Sequence, residues 1–215
     1  FLDNPAGPVI NFIASNNNTV SYSTITSNGV GALTVQVLTS SSNTITQSYI
    51  YSPASVGLLF NGSQNNTVSY STITSNAVDA IAIFNSSTFN TISNSIVSSN
   101  GQYGVYMQSN ANQNTVTGNT VNSNSSMGMF LLNSAHLTIT GNTVNSNGGD
   151  GIRVNNGSGC VVTGNTANSN VYGIYLVTTS SYNTISNNTT NSNSTDGIYL
   201  DVRSNNNIVS NNTAN

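Results

Sequence analysis

The stretch Asn183-Thr184-Ile185-Ser186-Asn187-Asn188, leading through Asn193 to Gly197-Ile198-Tyr199-Leu200, holds the pattern from which the whole chain is built. Its Asn-Thr-Ile/Val element returns along all 215 residues, with first positions at Asn18, Asn43, Asn66, Asn90, Asn114, Leu137, Cys160, Asn183 and Asn207. The spacings run from 23 to 25 residues. A period of that length, with no 3.6-residue apolar pattern anywhere, is that of a coil of short strands joined by turns. The repeat, not the length, therefore sets the organisation: one domain over 1–215, with a partial first coil at 1–17, eight full coils over 18–206 and a partial last coil at 207–215.

The apolar positions are constant within each coil. Two residues after the anchor stand Val20, Ile45, Val68, Ile92, Val116, Ile139, Val162, Ile185 and Val209, flanked mostly by Thr or Ser, whose side chains fall on the opposite face. Seven after it stand Ile25, Ile50, Ile73, Val97, Val121 and Val144, weakening to Ala167, Thr190 and Ala214. A third strand follows a glycine, as in Gly104-Val105-Tyr106-Met107 and Gly173-Ile174-Tyr175-Leu176, and strand alternation turns Ile174 and Leu176 inward and Tyr175 outward. This predicts an all-β, single-domain parallel β-helix of about nine coils. Each coil buries about four aliphatic side chains worth roughly 1.5 to 3 kcal/mol apiece before ordering entropy is subtracted. No coil is stable alone, so neighbours must stack, about 4.8 Å apart. Asn28, Asn76, Asn100, Asn124, Asn147, Asn170 and Asn193 all fall ten residues past their anchors, where the chain must turn. Asparagine tolerates left-handed backbone, and a column of amides can hydrogen-bond from coil to coil.

The Asn183 to Leu200 pattern resembles the right-handed parallel β-helix repeats of the NosD-like, pectate-lyase-like superfamily, over residues 15 to 215. The resemblance implies right-handed winding. Many members of that superfamily are polysaccharide lyases or glycoside hydrolases, but the matching residues here are those that build coils.

Composition excludes several partners. The only charged residues are Asp3, Asp79, Asp150, Asp196, Asp201, Arg153 and Arg203, for a net charge of -3. Two cations cannot neutralise a phosphate backbone or form a basic membrane patch, so neither nucleic acid nor a membrane surface is an expected partner. No apolar run approaches the roughly 20 residues that span a bilayer. Despite the abundance of Asn, Ser and Thr, a 36% hydrophobic fraction at fixed positions argues against disorder. The single cysteine, Cys160, gives no intramolecular disulfide and no metal cluster, and reads as a small buried residue. No metal site and no cofactor are expected.

A hydrolase needs two carboxylates about 5 to 9.5 Å apart. Asp79, Asp150 and Asp196 share one position, thirteen residues past their anchors, and so lie along one edge. The nearest pair, Asp150 and Asp196, is two coils or roughly 9.6 Å apart, and each precedes a glycine as a turn residue would. Arg153 and Arg203 have no calcium-binding carboxylate cluster beside them, and His136 lies in a turn with no nucleophile around it. No catalytic residue is assigned.

Two surface arrays are candidates for binding. Tyr106, Phe130, Arg153, Tyr175 and Tyr199 occupy the outward position of the third strand on five consecutive coils. Such a row stabilises a sheet by cross-strand contact, and equally suits a protein partner or the faces of sugars. Outward hydroxyl pairs such as Thr44 with Thr46 and Thr115 with Thr117 form a second row, similar to the ice-binding face of antifreeze solenoids, and also ordinary for a β-rich solvent face. Asn17, Asn61, Asn65, Asn85, Asn124, Asn156, Asn187, Asn188, Asn193 and Asn211 begin glycosylation sequons, candidates for glycan if the protein is exported.

The ends complete the reading. The chain begins at Phe1, as a processed product or a portion of something longer would, and neither end shows a cap. Joining one chain's end to the next chain's start gives an anchor spacing of 26, close to the internal ones. The expectation is therefore a non-catalytic extracellular or cell-surface structural protein whose subunits associate head to tail into a fibre. The alternative is a carbohydrate-binding or carbohydrate-processing β-helix using the Tyr106 to Tyr199 row, and the third reading is an ice-binding protein.

Overall fold

A computed structural model describes residues 7–27 and 31–215. Phe1, Asp3 and Asn28 lie outside the described residues. The described chain is a right-handed parallel β-solenoid with three faces and no helix. One face, the anchor sheet, has nine strands: Thr19–Ser21, Thr44–Thr46, Thr67–Ser69, Thr91–Ser93, Thr115–Thr117, Thr138–Thr140, Val161–Thr163, Thr184–Ser186 and Ile208–Ser210. Its register sets Val20 beside Ile45, Ile45 beside Val68, and so on to Ile185 beside Val209, the column expected from the repeat. A second nine-stranded sheet, from Ile10–Ile13 to Ile198–Leu200, carries the strands that follow the glycines. The third face is a sheet of four strands, Thr24–Thr26, Tyr49–Ser52, Thr72–Ser75 and Ile96–Ser99, continued by single bridges from Ile96–Thr120 to Thr189–Thr213.

The core is the stacked apolar columns. In the coil that starts at Asn90, Ile92, Val97, Val105 and Met107 are all fully buried, and equivalent sets fill the coils on both sides. The four inward side chains per coil match the repeat, so packing follows directly from strand alternation.

The corners depend on left-handed backbone. The residue before every anchor has φ between 55° and 64°, from Asn17 and Ser42 through His136 and Gly159 to Asn206. The residue four past every anchor has φ between 47° and 65°: Tyr22, Gln47, Tyr70, Asn94, Gly118, Gly141, Gly164, Asn187 and Asn211. Each such residue turns the chain inward, and the next side chain, polar in every coil except at Leu137 and Cys160, points into the rod. Left-handed backbone costs a residue with a Cβ about 1 to 2 kcal/mol, less for asparagine and essentially nothing for glycine.

Two long polar columns result. Asn18, Asn43, Asn66, Asn90 and Asn114 form the first, in which Asn43 donates from its backbone N and Nδ2 to Asn66 Oδ1 at 2.9 and 3.1 Å. Leu137 and Cys160 interrupt it before Asn183 resumes. The second runs through Ser48, Ser71 and Ser95 into Asn119, Asn142, Asn165, Asn188 and Asn212. Asn142 Oδ1 accepts from the Asn119 backbone N and Nδ2 at 2.9 and 3.1 Å, and its own Nδ2 donates to Asn165 Oδ1 and to the Val116 carbonyl.

The asparagines ten residues past the anchors behave in two ways. Asn124, Asn147, Asn170 and Asn193 form the expected amide column. Asn76 and Asn100 do not: they are exposed, and the buried place belongs to Ser75 and Ser99, one residue earlier. In those coils a full four-residue strand runs up to the serine, so the corner comes one residue later relative to the buried side chain.

Candidate functional site

The outward row expected on the second sheet is in register. Tyr106 pairs with Phe130, Phe130 with Arg153, Arg153 with Tyr175 and Tyr175 with Tyr199. The Tyr106 and Phe130 rings stack with centroids 5.3 Å apart and 1° between planes, and Tyr175 and Tyr199 lie 5.2 Å apart. The Arg153 guanidinium sits over the Tyr175 ring, 4.9 Å from its centroid. These contacts stabilise the sheet, and together they arrange rings on either side of one cation.

A second column runs beside the first, three residues upstream in each coil. Backbone bonds link Ala80 N to Tyr103 O, Gly104 N to Met127 O, Gly128 N to Asp150 O, Gly151 N to Tyr172 O and Gly173 N to Asp196 O. Asp79, Tyr103, Met127, Asp150, Tyr172 and Asp196 therefore follow one another along the edge of the same face. Tyr103 contacts Tyr106 at 5.1 Å and Phe130 at 5.3 Å, while Tyr172 contacts Tyr175 at 4.7 Å and Tyr199 at 5.4 Å. The structure thus has two aromatic clusters with the Asp150–Arg153 pair between them. Tyr103 and Tyr172 escaped the sequence reading although they hold the edge position of the aspartates, one residue before a glycine.

The three edge aspartates have different surroundings. Asp150 is 2% exposed and accepts from Arg153 Nε at 2.6 Å. Burial pushes its carboxyl up, against the lowering effect of Arg153. Asp79 is 3% exposed and receives the Tyr103 backbone N–H at 3.3 Å, and burial pushes it up to about 6. Asp196 is exposed. Asp150 and Asp196 are separated by the Tyr172 rung and Asp79 is three rungs from Asp150, so no two of them share a rung or adjoining rungs. Tyr175 donates its hydroxyl to Asp201 Oδ2 at 2.9 Å, and burial, followed by that bond and the Asp201 charge, pushes the phenol up to about 12. The ladder phenol therefore stays protonated at neutral pH.

The remaining candidates scatter. His136 is an exposed corner residue with φ 55°. Cys160 is buried at an anchor position, where burial raises its thiol to about 11. Among the described residues no group of three or more metal-ligating side chains occurs. The hydroxyl rows face outward and partly satisfy one another, as in the Thr46–Ser69 and Thr163–Ser186 bonds of 3.0 Å. Of the sequon asparagines, Asn17, Asn65, Asn85, Asn156, Asn187 and Asn211 are exposed, and Asn61 and Asn193 are half-buried. Asn124 and Asn188 are 2% and 1% exposed, with their amides engaged in the inner columns.

The fold is shared with enzymes. The periplasmic alginate epimerase AlgG superposes with a TM-score of 0.72 at 15% identity, over 95% of this chain and 61% of that one. An alginate lyase from Paenibacillus sp. str. FPU-7 gives 0.77 at 12% identity, over 96% and 89%. The A-module of the Azotobacter vinelandii mannuronan C-5 epimerase AlgE4 gives 0.70 at 14% identity, over 98% and 74%. The chain thus spans less than two thirds of the AlgG structure. No curated protein sequence matches it.

These likenesses correct the expectation of a non-catalytic fibre subunit. That expectation drew on the chain's ends and on a test for paired carboxylates, a requirement of hydrolysis alone. Epimerisation and elimination on a sugar begin by removing a proton from carbon and add no water, so a face without such a pair does not exclude an enzyme. The model of the right-handed β-helix region matches residues 2–144 and 125–215, and the chain belongs to that family.

Proposed function

We propose that the protein is a carbohydrate-processing β-helix that takes an acidic polysaccharide along the two-column face, with Arg153 as the contact for a sugar carboxylate. One observation carries the reading: aromatic clusters around Tyr106 and Tyr175 lie in register above and below a single guanidinium. Aromatic faces suit the carbon-bound hydrogens of sugar rings, and a guanidinium suits a carboxylate. The bond to Asp150 uses Arg153 Nε, and the four N–H donors on the two Nη atoms are those with the geometry for a carboxylate fork. Asp150 keeps the guanidinium in place while lowering the net charge of the site. The enzymes that share the fold act, by their names, on alginate or mannuronan, which supports the same substrate class.

Such a substrate places the protein in the periplasm or outside the cell, where the exposed sequons would also meet any glycosylation machinery.

The test is incubation of the purified protein with alginate, pectate and neutral polysaccharides. Retention is followed by affinity electrophoresis and chemistry by ultraviolet absorbance of unsaturated ends and by NMR of uronate composition. Retention by an acidic polymer is expected, with at least a tenfold loss in Arg153→Ala and in Tyr175→Ala. Equal behaviour towards every polymer, or retention untouched by both substitutions, overturns the reading.

A further inference from the structure

On the opposite side of the rod from any charged group of the ladder, the corner four residues past the anchors carries side chains that the fold does not explain. In six coils this left-handed position is held by Asn94, Gly118, Gly141, Gly164, Asn187 and Asn211, residues suited to it. In the first three it is held by Tyr22, Gln47 and Tyr70, with φ of 48°, 47° and 48°. A bulky residue in this region is an outlier, and strain of this kind concentrates at functional sites. Burial does not offset it, because Tyr22 is 78% exposed and Tyr70 64%.

The two tyrosines stand on either side of Gln47 on consecutive rungs, since Tyr22 N bonds Thr46 O and Gln47 N bonds Ser69 O. With Tyr49, Thr24 and Thr72 they line a shallow cleft of about 470 Å³, open to solvent. That volume lies within the roughly 300 to 1,000 Å³ of small-molecule sites. Two rungs separate the tyrosines by about 9.6 Å. Among the described residues no charged side chain lines the cleft; its polar groups are phenols, hydroxyls and one primary amide. We propose that this cleft binds a neutral sugar of one or a few pyranose rings, as a site separate from the ladder. The rings take the apolar faces of the sugar, and Gln47, Thr24 and Thr72 take its hydroxyls. An anionic sugar finds no cation here, so the two sites differ in the ligand they accept.

The structure supplies its own controls. Tyr182 is 68% exposed with φ 60°, a strained corner tyrosine that lines no part of the cleft. Tyr175 belongs to the ladder. The experiment is saturation-transfer NMR and calorimetric titration of the full chain with gluco-, manno- and galacto-configured neutral trisaccharides. At least one is expected to bind, with affinity falling at least fivefold in Tyr22→Gly and in Tyr70→Gly. Tyr182→Gly and Tyr175→Ala should leave that affinity unchanged. Glycine is the residue found at this corner in three other coils, so both cleft variants should keep the wild-type melting temperature or exceed it. Binding of none of the trisaccharides, or binding indifferent to Tyr22→Gly and Tyr70→Gly, overturns the proposal. Loss on Tyr175→Ala instead assigns the sugar to the ladder and likewise overturns the cleft. Failure of the ladder to retain acidic polymers leaves these outcomes unaffected.

Discussion

Asp79 is 3% exposed, has one backbone N–H directed at it, and titrates near 6 rather than 3.8 because burial disfavours its charge. A carboxyl with a raised folded-state pKa holds its proton in the native chain after the unfolded chain has lost it. Stability therefore falls as pH rises between about 4 and about 6 and is level above that window. A shift of this size corresponds to at most about 3 kcal/mol. Asp79→Asn should remove that part of the fall, so that urea unfolding at pH 7.5 shows a variant more stable than the parent while the two converge near pH 4. The inner asparagines make the opposite case. Asn142→Ala takes the acceptor from the buried Asn119 backbone N–H, one acceptor from Asn119 Nδ2, and the side-chain donor from the Val116 carbonyl inside the rod. A loss of about 3 kcal/mol is expected, against less than about 0.5 kcal/mol for Asn100→Ala on the surface. Sequence alone did not separate these two asparagines. Asn142 follows a left-handed glycine that turns its side chain inward, whereas at Asn100 the buried place is taken by Ser99, the last residue of a four-residue strand.

Strands were the legible elements. Val116, Ile139 and Ile185 recur at a fixed offset and alternate with hydroxyls, and a period of two leaves one choice of inward face. Corners were legible only as places where the chain turns. Their left-handed residues include Tyr22, Phe89 and His136 as well as glycine and asparagine, so residue type does not reveal them. The glycine that opens six of the nine strands of the second sheet has a stricter role. A Cβ on Gly151 would lie 2.6 Å from the Gly173 carbonyl oxygen, 2.7 Å from Asn170 Nδ2 and 3.1 Å from Ala167 Cβ. The first belongs to the neighbouring rung's backbone and the second to a hydrogen-bonded column, so neither yields easily. Gly151→Ala should cost about 2 kcal/mol in urea unfolding. Because Gly151 lies between Asp150 and Arg153 in the chain, the same variant should also weaken retention on an acidic polymer. Full stability in Gly151→Ala would show that the two rungs shift apart more readily than this packing implies.

At the scale of the whole rod, the repeat governs shape and is nearly silent about chemistry. The residues that recur build coils, and those that differ from rung to rung, Tyr103, Arg153 and Tyr172 among them, compose the face. Their meaning comes from neighbours some 23 residues away in the chain, which is why the row from Tyr106 to Tyr199 was legible from the repeat while Tyr103, Tyr172 and the Asp150–Arg153 pair joined it only in three dimensions. That geometry also fixes how binding should scale. The five ladder rungs from Tyr106 to Tyr199 span about 19 Å, and the contacts are distributed along that length rather than gathered in a pocket. Affinity for uronate oligosaccharides should rise with each added sugar until the ligand covers the ladder, and then level off. Calorimetric titration with a length series measures this directly. Tyr106→Ala should lower the plateau while leaving the shortest ligands that reach Arg153 unaffected, because Tyr106 is two rungs from that cation. The molecule carries a net charge of -3 and the face a single cation already paired with Asp150. Ring contacts must then supply most of the affinity, and raising the salt concentration to 0.5 M should weaken binding by less than about fivefold. A steeper salt dependence, or affinity independent of ligand length, would place the polysaccharide somewhere other than on this face.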